Sequence, residues 1–500
     1  MLFNSYIFIF IFFPLCITGF YLLNKLKIST YAKMWLIAFS LWFYGYFNVS
    51  YLAIMIISIL LNYCLTLWIT REKTKTTWKK SILAAGVILN LAILFYFKYF
   101  DFFIESINSV FKSDFPLKHI LLPLGISFFT FQQIGFLVDT YRGDIDKIDF
   151  VDYALFVSFF PQLIAGPIVS QDEMLPQFKN IQGRRADYEG IARGLTLFVL
   201  GLAKKVLIAD TLGASVDIGY QMIGGLSGLD SFCIMIWYSL QLYFDFSGYC
   251  DMARGLAQML GFELPVNFDS PYKASNIVDF WKLWHRTLTR FFTRYVYIPL
   301  GGNRKGFVRM LINVLIVYFL SGLWHGAGYN FILWGMLHGI MYVIVRLFYR
   351  YKPARLNEID NISQSRRVLN WLAVVCNFIY VSFAWIFFRA TSIADGLDVV
   401  KHMFTSSWRY VSYPISEAMK MDELWYVVKI LRLDRYPFSQ NLAMIIVSLV
   451  AIIITFAAPN AAYISENIKP KRKYAVLIAI LGIWCVLTLS EVSTFLYFNF

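Results

Sequence analysis

The 500-residue chain is 59% hydrophobic and 19% aromatic, and only 15% of its residues are charged. Soluble domains average about 25% charged residues, so this composition excludes an ordinary soluble protein. The formal net charge is +14, which raises the possibility of a nucleic-acid partner. The placement of the basic residues along the chain tests that possibility.

Apolar segments long enough to cross a bilayer recur along the chain. A helix needs about 20 mostly apolar residues to span the hydrocarbon core. One further segment, 150–169, is interrupted by Pro161, Gly166 and Pro167. The sequence predicts an all-α, polytopic transmembrane helical bundle of about 11–13 spans. The clear candidates lie near 3–23, 34–48, 50–70, 81–100, 119–138, 190–209, 229–247, 308–324, 329–348, 368–388, 440–458 and 474–490.

The basic residues cluster in short loops between these spans, at 25–27, 71–80, 301–306, 350–355 and 469–473. Cytoplasmic loops of membrane proteins carry an excess of Lys and Arg. We therefore expect these loops inside the cell and the N-terminus outside, with no nucleic acid as a partner. Anionic lipids and a phosphate-bearing donor are the secondary partners that such charge favours.

The chain reads as one integral-membrane domain, 1–500, without an internal repeat. Its core motifs fall within 120–345, and peripheral spans follow within 368–490. The first apolar run lacks a basic leader and is interpreted as a retained anchor. The longest polar interruption, 390–438, is expected to be an external loop packed on the membrane face. The six cysteines show no C-x-x-C spacing, which favours core residues over a disulfide framework or a metal site.

The stretch 276–295, "NIVDFWKLWHRTLTRFFTRY", differs from a span because its apolar residues recur at intervals of three and four. That pattern predicts an amphipathic helix lying in the interface or re-entering the protein. On such a helix His285 points inward, away from the basic face. The apolar positions are Ile277, Phe280, Trp281, Trp284, Leu288, Phe291, Phe292 and Tyr295.

Two of the chain's five histidines, His325 and His338, lie in "SGLWHGAGYNFILWGMLHG" at 321–339. Glycines surround His325, so a helix should end there, and non-helical backbone at membrane depth lines a cavity or is buried in protein. Burial favours the neutral imidazole, which suits a general base. His338 lies on one face of a span, and the sequence fits a structural or pore-lining role for it as well as a catalytic one.

Polar side chains also interrupt the apolar stretch "YFDFSGYCDMARG" at 243–255. Its two carboxylates, on Asp245 and Asp251, straddle Ser247 and Tyr249 and imply a second interrupted helix. They could orient a histidine, bind a cation or gate a substrate, or they could cap the helix break. The neighbouring "LGLAKKVLIAD" is interpreted as a helix emerging at the membrane interface.

Two classes of function fit these residues. The chain has no G-x-S-x-G elbow, P-loop, H-E-x-x-H or dinucleotide fingerprint. Histidine chemistry without a metal fits acyl transfer, in which a base deprotonates a hydroxyl whose oxygen attacks a thioester. His and Asp in broken helices equally mark the ion pathway of a proton-coupled transporter. The residues alone do not choose between the two.

Several stretches together resemble the membrane-bound O-acyltransferases, in particular the bacterial branch that contains the alginate O-acetylation membrane protein. His325 matches the invariant histidine of that family, and His285 matches its second. One departure is Thr293-Arg294, where the branch often has Arg-Asp. The matching stretches are "LPLGISFFTFQQIGFLVDTYRG" (122–143), "FVSFFPQLIAGPIVS" (156–170), "YFDFSGYCDMARG" (243–255), "FWKLWHRTLTRFFTRYVYIPLGGNRKG" (280–306), "LWHGAGYNFILWGMLHG" (323–339) and "FLYFNF" (495–500).

The resemblance implies acyl transfer from a cytoplasmic thioester to an extracytoplasmic hydroxyl, through a funnel from each side that meets at the histidines. His325 would be the general base, and His285 would assist it or position the thioester carbonyl. The donor would be acetyl-CoA or a phosphopantetheine carrier, with no tightly bound cofactor and no metal. Substrate contacts are expected at Trp324, Asp245, Ser247, Tyr249, Asp251, Asn330, His338 and Arg290.

The resemblance also implies a bacterial cytoplasmic (inner) membrane, with the lipid bilayer as a constant partner. The acceptor would be an alginate-like exopolysaccharide, another cell-surface polymer, or a separate extracytoplasmic acetyltransferase. Two alternatives remain, namely D-alanyl transfer to teichoic acid from a carrier protein and a non-enzymatic scaffold or transporter of a polysaccharide export complex.

Overall fold

The computed structural model of the protein describes residues 1–71, 74–145, 148–351, 364–419, 421–436, 439–469, 471–489 and 495–496. These residues form helices and loops and contain no β-strand, which confirms the predicted all-α class.

The first half of the chain folds into helices that alternate with short loops and with π-helical turns, of which the first two are Phe8–Phe12 and Phe95–Tyr99. The first turn leads into α1 and the second joins α4 to α5. The α-helices are α1 (Phe13–Lys25), α2 (Ser29–Gly45), α3 (Val49–Thr70), α4 (Thr76–Leu94), α5 (Phe100–Phe111), α6 (Ile126–Arg142), α7 (Phe150–Ser158), α8 (Phe160–Leu163), α9 (Gln171–Lys179), α10 (Tyr188–Ala203), α11 (Asp210–Gln221) and α12 (Gly228–Met259).

The second half holds the segments that carry the histidines, followed by the C-terminal helices. A third π-helical turn, Lys204–Ala209, joins α10 to α11, and a fourth, Thr293–Tyr297, follows α14. The remaining α-helices are α13 (Ile277–Leu283), α14 (Arg286–Phe292), α15 (Phe307–His325), α16 (Tyr329–Tyr351), α17 (Gln364–Arg389), α18 (Ile393–Thr405), α19 (Tyr413–Ala418), α20 (Asp422–Ile430), α21 (Ser439–Phe456), α22 (Ala461–Asn467) and α23 (Arg472–Leu487).

Within the described ranges, six helical stretches are long and apolar enough to cross a membrane, or seven if the bent pair Asn441–Phe456 and Ala461–Asn467 is one span. The other predicted spans correspond to helices as well. Four of these helices are short, since α2 and α6 have 17 residues and α10 and α23 have 16. The six stretches are Phe8–Lys25, Val49–Thr70, Thr76–Phe111, Phe307–His325, Tyr329–Tyr351 and Arg367–Arg389.

Two sequence predictions about helix continuity are wrong. The stretch 243–255 does not interrupt a helix, because α12 runs unbroken for 32 residues from Gly228 to Met259. Conversely, 276–295 is not one amphipathic helix, because it divides into α13 and α14 at Trp284 and His285. The polar interruption 390–438 is largely helical where it is described, since α18, α19 and α20 fall within it.

A buried polar network joins α3, α4 and α6 in the N-terminal half. The Ser58 hydroxyl donates to Gln133 Oε1 at 2.8 Å, and the Asn90 amide donates to Asn62 Oδ1 at 2.7 Å. The Asn62 amide in turn donates to Gln133 Oε1. Hydrogen bonds between helices are one of the forces that associate helices in lipid, so this network fixes the arrangement of the three helices.

Glycines set the closest helix approach near the histidines, where α15 crosses α16. A Cβ on Gly335 would overlap the carbonyl oxygen of Tyr318 and lie 3.1 Å from Cα of Gly322. A Cβ on Gly322 would in turn overlap the carbonyl oxygen of Phe331. Small residues permit such backbone contact between membrane helices, and this contact fixes α16 against the end of α15.

We predict that Gly335→Ala destabilises the protein by about 1–3 kcal/mol, because the added methyl must displace the backbone of α15. Gly224→Ala is the matched control, since a Cβ there meets no atom within 4 Å. Thermal unfolding of both variants in detergent, followed by size-exclusion chromatography, measures the difference. Equal melting temperatures for the two variants would show that the helix crossing tolerates the methyl group.

Candidate active site

His325 is the last residue of α15. Gly326 follows in an extended conformation, and α16 begins three residues later, at Tyr329. This confirms the helix end that the glycines predicted. The imidazole is 5% exposed and lies among aromatic rings, with centroid distances of 4.9 Å to Trp324, 5.0 Å to Trp334 and 5.4 Å to Phe388. The helix end thus presents the ring to an aromatic wall.

His285 lies in the break between α13 and α14 with a positive φ of 44°. Residues other than glycine rarely adopt this left-handed conformation, and outliers of this kind cluster at functional sites. The side chain is fully buried, and its ring lies 4.9 Å from the ring of Phe246 on α12. Burial lowers the pKa of His285, so the ring is neutral near pH 7.

The two histidines converge on a single indole. The ring of Trp324 lies 4.9 Å from the ring of His325 and 6.3 Å from the ring of His285. The sequence predicted that these two segments meet, and the structure brings both imidazoles against the same side chain. Trp324, expected as a substrate contact, forms the shared wall between them.

Asn267 holds His285 in one tautomer. Its Oδ1 accepts hydrogen bonds from the backbone N–H and the hydroxyl of Thr287, at 3.2 and 2.9 Å. Because the same oxygen lies 3.2 Å from His285 Nδ1, that nitrogen must be the donor. A neutral imidazole carries one N–H, so Nε2 is the nitrogen without a proton. Sequence reasoning missed Asn267, which lies outside every motif that was singled out.

His338 lies on α16, fully buried, and its ring contacts Trp334 and Trp281 at centroid distances of 5.1 Å each. Trp334 therefore lies between the rings of His338 and His325. This placement puts His338 in the aromatic wall behind the site, and its proposed contact with substrate stays a prediction.

The carboxylates of α12 form ion pairs with lysines. Asp245 lies 2.8 Å from Lys205 Nζ and Asp251 lies 2.6 Å from Lys204 Nζ. Ser247 Oγ lies 3.4 Å from Lys204 Nζ. Both lysine side chains are turned into the protein, since Lys204 is 12% and Lys205 is 1% exposed; the predicted position of this helix at the membrane interface stays a prediction. A buried charge requires a partner. Because each carboxylate has a lysine partner, α12 can carry both aspartates without a break in the helix.

Three further residues expected at the substrate pocket have structural contacts. The Tyr249 ring contacts Phe495 at 4.8 Å. The Asn330 amide donates to the carbonyl oxygen of Ala390 at 2.8 Å, which ties α16 to the end of α17. Arg290 forms a two-point ion pair with Glu173, at 2.6 and 2.7 Å. Their roles toward substrate remain predictions.

The departure at Thr293-Arg294 places a cation next to a buried carboxylate. Arg294 lies 3.1 Å from Asp139 and 3.3 Å from Asp144. The Tyr295 hydroxyl also donates to Asp139 at 2.6 Å. This chain therefore uses the position to anchor α6 to the turn that follows α14.

A cavity of about 470 Å³ is lined by residues of both helices that flank the histidines, although neither imidazole lines it. Ser321, four residues before His325 on the same face of α15, lines it, and so does Leu288, three residues after His285. Lys282 and Arg346 contribute positive charge to its lining. The cavity is a candidate route for a long, partly anionic substrate. In the part of the chain that the structure describes, no three His, Cys, Asp or Glu side chains gather as a metal site.

The fold and the site define a helical membrane protein with two buried imidazoles around one indole. Residues 41–389, well over half of the chain, match the model of the MBOAT, or membrane-bound O-acyltransferase, family. The protein belongs to this family and is a multi-pass membrane O-acyltransferase. The bilayer and an acyl donor are its general partners. The transporter interpretation is thereby set aside.

Two individual relatives match most of the chain, and a third matches less than half of it. The chain is 38% identical to the peptidoglycan O-acetyltransferase of Helicobacter pylori, over 100% of this chain and 98% of that protein. It is 36% identical to the probable alginate O-acetylase AlgI of Pseudomonas aeruginosa, over 83% of this chain and 76% of that protein. A teichoic acid D-alanyltransferase of Streptococcus thermophilus is 27% identical over 46% of this chain and 58% of that protein.

We predict that Asn267→Ala lowers the acyl-transfer rate about 10- to 100-fold, because His285 loses the acceptor that fixes its tautomer and orientation. Asn267→Asp is the matched control, since its carboxylate can accept the same hydrogen bonds from Thr287 and His285. The measurement is kcat for purified variants of equal monodispersity. An Asn267→Ala enzyme with the wild-type rate would show that this hydrogen bond is dispensable.

Proposed function

We propose that this O-acyltransferase moves acetyl from a cytoplasmic thioester to a hydroxyl group outside the membrane, with peptidoglycan as the preferred polymer. The support is the relative named a peptidoglycan O-acetyltransferase, which matches the chain from end to end at 38% identity. The D-alanyltransferase relative matches less than half of the chain, at 27%, which disfavours D-alanine. A partner acetyltransferase that passes the acetyl group to the polymer is the second acceptor.

The observation that carries the mechanism is the convergence of two buried imidazoles on Trp324. His325 takes the proton of the acceptor hydroxyl as its oxygen attacks the thioester carbonyl. The carbon–sulfur bond then breaks, and the leaving thiolate receives the proton from the imidazolium. General acid–base catalysis of this kind contributes about 10²- to 10⁴-fold. No metal or tightly bound cofactor enters these steps.

The tautomer of His285 favours one of its two expected roles. With Nδ1–H donating to Asn267, Nε2 can accept a hydrogen bond but cannot donate one to a thioester carbonyl. His285 therefore assists by accepting a hydrogen bond from the acceptor hydroxyl. Polarisation of the carbonyl would require the other tautomer.

The donor route runs through the cavity of about 470 Å³. Its lining includes Asn303, within the basic loop 301–306, together with Lys282 and Arg346. Basic loops of membrane proteins face the cytoplasm, which supports entry of a phosphate-bearing thioester, acetyl-CoA or a phosphopantetheine carrier, from that side. This assignment corresponds to a bacterial inner membrane with the N-terminus outside.

We predict that His325→Ala abolishes acetyl transfer while expression and membrane insertion are unchanged, because the site loses its base. Purified enzyme in nanodiscs, given labelled acetyl-CoA and a soluble peptidoglycan fragment, reports turnover without a membrane gradient. His402→Ala is the matched control, since His402 lies on α18 outside the site, where its Nδ1 contacts Ser406. Retained transfer by His325→Ala would remove the catalytic assignment.

A further inference from the structure

The helix that ends at His325 is held by residues from a distant part of the chain. Lys98 and Tyr99 lie in the π-helical turn Phe95–Tyr99 between α4 and α5. Lys98 Nζ donates to the carbonyl oxygens of Trp324 at 2.6 Å and His325 at 3.1 Å. The Tyr99 hydroxyl donates to the carbonyl oxygen of Leu323 at 2.8 Å. Three consecutive carbonyls at the end of α15 are thus bound by one turn.

These carbonyls need partners for a physical reason. The last four C=O groups of a helix have no hydrogen-bond donor within the helix, and they form the negative end of its dipole. At membrane depth no water is present to donate to them. An ammonium group is the strongest partner, because its hydrogen bonds to carbonyls are charge-assisted. π-Helical turns inside α-helices occur frequently at functional sites, and this one places the ammonium against the carbonyl of His325 itself.

We propose that Lys98 is a positioning residue that fixes the backbone of His325 and thereby the direction of its imidazole. The inference rests on the proposed catalytic role of His325. Lys98 binds the main-chain carbonyls of Trp324 and His325, so in this proposal it acts through His325. Its loss should slow the chemical step and leave donor binding unchanged.

The test compares Lys98→Met with Lys98→Arg and Tyr99→Phe in nanodiscs. Methionine keeps the length of the side chain but removes every donor, so we expect kcat to fall at least ~10-fold with the KM for acetyl-CoA within about twofold. Arginine keeps charged donors and should restore most of kcat. Tyr99→Phe removes only the neutral bond to Leu323, and a loss below about threefold is expected.

Lys98→Gln, which keeps an uncharged donor, serves if Lys98→Met does not accumulate as folded protein, and we expect it to be slower than Lys98→Arg. A Lys98→Met or Lys98→Gln enzyme with wild-type kcat, or a loss confined to KM, would overturn the inference. His325→Ala, assayed in parallel, separates the two claims. If His325→Ala is active, the proposed catalytic role of His325 fails; if it is inactive while both neutral Lys98 variants are fully active, only the positioning role fails.

A second, independent observation concerns the lipid-facing surface. A groove of about 780 Å³ lies between α10 and α23 and is bordered by Phe10. Its walls are mainly apolar and include Leu195, Val199, Ile483 and Leu487. Leu195, Ile483 and Leu487 are 49%, 61% and 70% exposed. The groove therefore opens toward the bilayer rather than into the protein.

One end of this groove is basic. Arg193 near the start of α10 and Lys469, Lys471 and Arg472 at the start of α23 all line it. Arg193 is paired with Glu189 at 2.6 Å, so the α23 residues provide the net charge. From Arg472 to Leu487 the helix rises ~22 Å, and one leaflet of the hydrocarbon core is about 15 Å thick. The dimensions and charges match a headgroup with acyl chains below it.

We infer that this groove binds an anionic phospholipid, with its phosphate at Lys469, Lys471 and Arg472 and its acyl chains along α10 and α23. Juxtamembrane Lys and Arg each attract anionic lipid by about 1 kcal/mol. A peptide occupant is disfavoured because the apolar walls offer few hydrogen-bonding groups to a polar backbone.

The test is native mass spectrometry of protein reconstituted with phosphatidylglycerol or phosphatidylcholine and then extracted in mild detergent. The wild type should retain phosphatidylglycerol preferentially. The triple variant Lys469→Gln, Lys471→Gln and Arg472→Gln should lose that preference by about 10- to 100-fold. The matched control, Arg71→Gln, Lys75→Gln and Lys80→Gln, removes the same charge from another basic loop and should keep it.

Ala479→Trp tests the apolar part, because Ala479 lines the groove and an indole there would fill it. This variant should lower retention of phosphatidylglycerol without changing the charge. Equal retention of the two lipids by the wild type, or equal losses in the triple variant and its control, would overturn the inference.

Discussion

Polar groups inside a membrane domain must find their partners within the protein, and this constraint organises the candidate site. The end of α15 is bound by Lys98, the break at His285 is bound by Asn267, and the carboxylate of Asp245 is bound by Lys205. Water is scarce in the bilayer core, so each unsatisfied group there costs several kcal/mol. The partners that meet this cost also give the two imidazoles fixed directions.

The sequence predicts the features that local pattern determines. The apolar runs predict the long spans, and the glycines around His325 predict the end of α15, because a missing Cβ and a helix end are local properties. The continuity of α12 was missed because the lysines that neutralise Asp245 and Asp251 lie 40 and 47 residues earlier in the chain. A local reading sees two acidic residues in an apolar stretch and infers a break, whereas tertiary pairing removes the reason for one.

The residues of the candidate site also fall into two groups, those that the local sequence predicts and those that it does not. Histidines are scarce in this chain, and the helix end and the inward-facing position predict His325 and His285 from the sequence alone. No local pattern predicts the residues that bind these histidines, because Asn267 lies 18 residues before His285 and Lys98 lies 227 residues before His325. The amphipathic pattern of 276–295 indicates a single helix, but the hydrogen bonds of Asn267 to His285 and Thr287 hold a left-handed residue at its centre.

Trp324 connects the end of α15 to both histidines. Its backbone carbonyl is bound by Lys98, and its side chain contacts both imidazoles. The interaction that satisfies the helix end therefore also fixes the ring that both histidines contact. A shift of α15 would move His325, the indole and the wall of the cavity at Ser321 together. Orientation of the reacting groups accounts for a large part of many rate enhancements, and here it depends on a few hydrogen bonds to the main chain.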